Sequence, residues 1–128
     1  MKLFNFKKKN FNRDYDTIIW KCICKYKYDE RIIAERLLDE IKLLEETENN
    51  IPAIISTMLD ETIQDILYTQ MIKQDFEKGL LMLIKIDIST HLDQKEIISL
   101  KIRECDKKIQ YLNIKRDILK DICRSIKN

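Results

Sequence analysis

One histidine, four cysteines and many neighbouring carboxylates are the groups that could do chemistry in this chain of 128 residues. His91 stands between Thr90 and Leu92, in a stretch joining two helical patterns. A lone imidazole can move a proton near neutral pH, but a site needs a second group held beside it. Cys22 and Cys24 form a C-x-C pair whose neighbours are Lys, Ile and Tyr. Structural zinc knuckles use C-x-x-C with turn residues, and on a helix positions 22 and 24 point to different sides. Cys105 and Cys123 fall on the apolar stripe of the last helical pattern, where a thiol behaves as a small core residue.

The carboxylates occur as Glu45-Glu46, Asp60-Glu61, and Glu61 with Asp65 one helical turn apart. Di-metal helical bundles draw on inward-facing Glu-x-x-His pairs, and no Glu-x-x-His occurs here. The acids are read instead as a solvated or salt-bridged face. Gly79 is the only glycine, so no Gly-rich phosphate loop can be written. The expectation is no enzyme, no cofactor, no metal site and no catalytic residue.

The elements that would position these groups are long helices. Ile98, Ile102, Cys105, Ile109, Leu112, Arg116, Leu119, Cys123 and Ile126 alternate at spacings of four and three. That is the seam of a helix facing another helix. Asp93 and Glu96 resemble a capping box at its start. The far side carries Leu100, Tyr111, Ile114 and Ile118, so either the fold covers this helix twice or a partner does.

Upstream, Asp29 is read as the cap of a helix whose apolar face is Ile33, Ala34, Leu37, Leu38, Ile41 and Leu44. A short break at residues 48–50 follows, and Pro52 suits the first turn of the next helix. Ile55, Leu59, Ile63, Ile66, Ile72, Phe76, Leu80 and Leu83 keep the period through that helix. Gly79 weakens it and is a candidate end.

Residues 14–28 carry two patterns at once. Ile18, Ile19, Cys22, Ile23 and Tyr26 form a helical face, while Ile18, Trp20, Cys22, Cys24, Tyr26 and Tyr28 alternate as in a strand. The fold expected is therefore all-α: an antiparallel bundle of three long helices with a possible fourth, N-terminal one. The alternative is α+β, with a two-stranded pair from residues 17–28 and 83–89. Residues 1–13 read as a basic N-terminal arm and 14–128 as one helical-bundle domain.

The net charge of +2 hides blocks. Residues 1–28 and 101–128 are basic, whereas 29–65 hold eleven acids against three bases. Antiparallel packing would set Asp60, Glu61 and Asp65, with Glu45, Glu46 and Glu48, against Lys115, Arg116, Lys120 and Arg124. Arg116, at a seam position, would find its counter-ion there and fix register.

Four cysteines without a secretory leader suggest a reducing, cytoplasmic setting. No apolar run approaches the ~18 residues of a membrane span. The function expected is a non-catalytic helical interaction or scaffold protein that self-associates or docks on a protein partner. Trp20, Tyr111, Ile114, Ile118 and Arg116 are its interface candidates. The alternative is a small nucleic-acid-binding protein using Lys7, Lys8, Lys9, Arg13, Lys21, Lys25 and Lys27 on phosphates. An anionic membrane surface ranks behind both.

Overall fold

Helices carry nearly all of the computed structural model, which describes residues 15–47, 50–86 and 92–127. Helix α1 covers residues 15–24, α2 Tyr28–Glu45, α3 Ile51–Lys85 and α4 Leu92–Lys127. The fold is the all-α antiparallel arrangement, with the additional N-terminal helix formed. The strand alternative is overturned: residues 17–24 are helix, residues 83–85 finish α3, and the described residues contain no strand. The helical period won because it gathers Ile19, Cys22 and Ile23 on one face, and all three are buried.

The chain packs as two compact units, one of Met1–Thr62 with Ile114–Asn128 and one of Ile63–Asn113. Within the first, all four helices contribute to one core. Ile19 and Ile23 of α1, Leu37 and Ile41 of α2, Ile51 and Ile55 of α3, and Ile118, Leu119 and Ile122 of α4 are almost wholly buried. Each such side chain contributes roughly 1.5–3 kcal/mol of transfer free energy.

Two hydrogen bonds tie α1 and the turn after it to α4. The Cys22 thiol donates to Ser125 Oγ at 2.9 Å, and the Tyr26 hydroxyl donates to Asp121 Oδ2 at 3.2 Å. Numbers rise along one helix as they fall along the other, so the pair is antiparallel.

The helix starts depart from the sequence reading in detail. Asn50 caps α3: its Oδ1 accepts the Ala53 N–H at 3.2 Å, and its carbonyl accepts the Ile54 N–H. Pro52 sits in the first turn as expected. Asp29 is not the cap of α2. Lys27 holds that position in extended conformation without a side-chain bond, and Asp29 lies inside the first turn. Asp93 likewise lies inside the first turn of α4. There both carboxylates meet the positive end of the helix dipole without acting as caps. At the first position of α2, Tyr28 takes a left-handed φ of 58°.

The second unit is a helical hairpin of α3 from Ile63 and α4 up to Asn113. Lys73 Nζ meets Asp106 at 2.6 Å, Lys101 Nζ lies 5.5 Å from the Phe76 ring centroid, and Gly79 stands opposite Ile98. These contacts again run antiparallel. Gly79 does not end α3, which continues six residues beyond it to Lys85. Ile66, Thr69, Cys105 and Leu112 are its buried positions. Thr69 is tolerated there because its hydroxyl donates to the Asp65 carbonyl at 2.7 Å; in the first unit Thr62 donates to Met58 in the same way.

Candidate functional site

The groups able to do chemistry are dispersed. All four cysteines are free thiols; Cys22 and Cys105 are buried, Cys24 is exposed and Cys123 is half-buried. Among the described residues, no three of His, Cys, Asp and Glu stand close enough to hold a metal ion. His91 lies outside the described residues. Glu45 is half-buried, and its carboxyl titrates above the usual range. Burial is the main cause, with the nearby charge of Asp16 adding to it and Lys42 opposing it. Among the described residues, no helix is long and apolar enough to cross a membrane.

The interface candidates separate into three situations. Trp20 is 47% exposed, with the Arg31 guanidinium 5.4 Å from its ring centroid. Tyr111 and Ile114 are half-buried. Ile118 is 0% exposed: the fold covers α4 on that side, so this residue is core and offers no surface to a partner.

Arg116 requires a correction. Its partner is not the acidic block but its neighbour Asp117, reached by both Nε and Nη2 at 3.2 Å. Its side chain is about one-third exposed, so it is not a buried charge demanding a distant counter-ion. Lys115 reaches Glu40 of α2 at 3.8 Å, within the acidic 29–65 segment but not one of the carboxylates expected opposite it. Exposed ion pairs contribute only ~0–1 kcal/mol, too little to pull long side chains away from the nearest carboxylate.

Two surfaces emerge: one that the sequence reading did not single out, and one that joins its candidates Lys21, Lys25 and Lys27 to the basic end of α4. The first is on the hairpin. Leu67, Tyr68 and Met71 of α3 are exposed, as are Leu81 and Met82 about three turns on. Helical periodicity places them opposite Ile66, Thr69, Phe76 and Leu80, the positions turned to α4. Ile97 and Leu100 are exposed on α4. The i, i+4 spacing of Leu67 and Met71 was the available signal; the stronger seam pattern masked it.

The second surface is basic and lies in the first unit. Lys21, Lys25 and Lys27 are exposed, as are Lys120, Arg124 and Lys127 at spacings of four and three on α4. Among the described residues none of the six has an ion-pair partner. Lys7, Lys8, Lys9 and Arg13 lie outside the described residues.

No family model, curated protein or solved structure matches the chain.

Proposed function

We propose that this is a non-catalytic helical interaction protein whose hairpin self-associates through the outer face of α3. The observation that carries the reading is the exposed apolar cluster Leu67, Tyr68 and Met71 on one turn of α3, with a second exposed pair, Leu81 and Met82, on the same side beyond the polar Gln74, Asp75 and Lys78. Isolated exposed apolar residues are ordinary, but three large ones gathered on one helical turn mark a surface suited to association. A two-helix hairpin has both outer faces open, and pairing with a second hairpin would make a four-helix contact of familiar geometry. Four free thiols are in keeping with a reducing compartment such as the cytoplasm.

Light scattering over a hundred-fold range of protein concentration tests this. The expected outcome is a dimer that the double substitution Leu67→Glu, Met71→Glu converts to monomer while helicity by circular dichroism is retained. Both side chains are exposed, so their loss should leave the fold intact. A parent protein that remains monomeric at every concentration would remove self-association as its function.

A further inference from the structure

The basic surface of the first unit is made by two helices held at a defined register. Cys22 to Ser125 and Tyr26 to Asp121 mark the line along which α1 and α4 touch. On one side of that line lie the buried Ile19 and Ile23 of α1 and Ile118 and Ile122 of α4. Residues turn by about 100° per step around a helix, so Lys21 falls on the other, exposed side, and Lys25, in the turn that follows α1, is exposed as well. Lys120, Arg124 and Lys127 do the same on α4. The two rows therefore share one face.

Two acids lie beside this face: Asp117 is paired with Arg116, and Asp121 accepts the neutral Tyr26 hydroxyl and keeps its charge. Asp29 and Glu30, in the first turn of α2, bound the face at one end.

Tyr28 stands at that same end, one residue beyond Lys27. It is 88% exposed, and its backbone is left-handed at φ 58°. An aromatic residue in that conformation is strained, and strain of this kind is concentrated at binding and catalytic sites. Here it presents a flat, solvent-facing ring beside a row of unpaired cations. That combination is the one that captures single strands, with bases stacked on a ring and phosphates held by Lys and Arg.

We propose that the paired α1 and α4 bind single-stranded nucleic acid, with phosphates on Lys21, Lys25, Lys120, Arg124 and Lys127 and a base stacked on Tyr28. A membrane surface fits less well. An interfacial helix inserts an apolar face, but the apolar residues Ile19, Cys22 and Ile23 of α1 are buried in the core. The proposal uses none of the hairpin residues and does not depend on self-association.

The test is a binding titration of the full chain with a fluorescent twenty-nucleotide oligo(dT) at several salt concentrations. A twenty-base-pair duplex and vesicles of phosphatidylcholine with phosphatidylserine serve as competing probes. Oligo(dT) should bind with a steep salt dependence. The triple substitution Lys25→Gln, Lys120→Gln, Arg124→Gln should flatten the log–log slope by about 2, at ~0.7 per phosphate contact on a single strand. Tyr28→Ala should weaken binding about ten-fold with the slope unchanged, and Tyr28→Phe should bind like the parent. Four results would overturn the proposal: no binding at low salt; binding to vesicles alone; duplex preferred over single strand; or oligo(dT) binding indifferent to both Tyr28→Ala and the triple substitution. Every substituted side chain is exposed, and unchanged thermal melts would confirm that the variants fold.

Discussion

Tyr26 ties the connection between α1 and α2 to α4 through one hydrogen bond to Asp121. Its phenol is pushed well above the ordinary range, first by burial and then by the charge of Asp121 and the bond itself. Tyr26→Phe removes the donor from a charged acceptor and should cost about 1.5–3 kcal/mol, read as a lower urea midpoint near neutral pH. The sign of the pH effect follows from the raised phenol. The folded state holds this proton more tightly, so the stabilisation is complete below about pH 10 and is lost as pH rises through the folded value. The Phe variant lacks that loss, and the gap between the two proteins should narrow in alkaline urea melts. A gap that widens instead would mean that the bond is not what holds Tyr26. The sequence reading put Tyr26 on the helical face of α1, whereas it lies just past the end of that helix, and its partner was not legible because 95 positions separate the two residues. The misplacement of Arg116 has the same origin. Block charges predict which segments attract, but a side chain pairs with whichever carboxylate is within its own reach.

At the scale of elements, the long seams were legible and the helix ends were not. Every expected seam position of α4 from Ile98 to Ile126 is buried or half-buried, as are the expected positions of α3 from Ile55 to Leu83. Seven-residue periodicity sustained over many turns leaves few alternatives. Caps depend on one or two residues, and several Asp and Asn candidates compete at each end. Asp29 and Asp93 lost that competition, and Asn50 won it without having been singled out. Gly79 shows how local preference yields to packing. Its penalty of ~1 kcal/mol is small against the contacts of a helix of 35 residues. A Cβ placed there would meet only Ile98 Cδ1, at an ordinary 4.0 Å. Gly79→Ala should therefore stabilise by about 0.5–1 kcal/mol, visible as a higher melting temperature. A lower one would show that the hairpin needs the space or flexibility at this point.

For the molecule as a whole, burial is unequal between the two units. The largest fully buried side chains all belong to the first: Ile19, Ile23, Leu37, Ile41, Ile51, Ile55, Ile118, Leu119, Ile122, Thr62 and Cys22. Most of the hairpin's inward positions are only half-buried. Local opening requires less free energy where fewer apolar contacts are broken. Within α3 and α4, amide hydrogen exchange should therefore be faster in residues 80–85 and 92–100 than in residues 54–62 and 116–124. Uniform protection along α3 and α4 would contradict this ordering. The sequence showed little of the inequality, because α3 and α4 keep an apolar period through both units and periodicity does not reveal how many neighbours a face has.

The hairpin's antiparallel register gives its length an unusual freedom. Because inward positions on both legs recur every seven residues, removing one such repeat from each leg shortens the pair by about 10 Å and returns every remaining position to an equivalent opposite number. Matched insertions would lengthen it by the same step. Unmatched changes, of three residues on one leg or seven on one leg alone, would instead turn a polar stripe inward or strand a turn without a counterpart. Evolution acting on such a hairpin would thus leave a record of paired indels in units of seven, at mirror-image distances from the connection between α3 and α4.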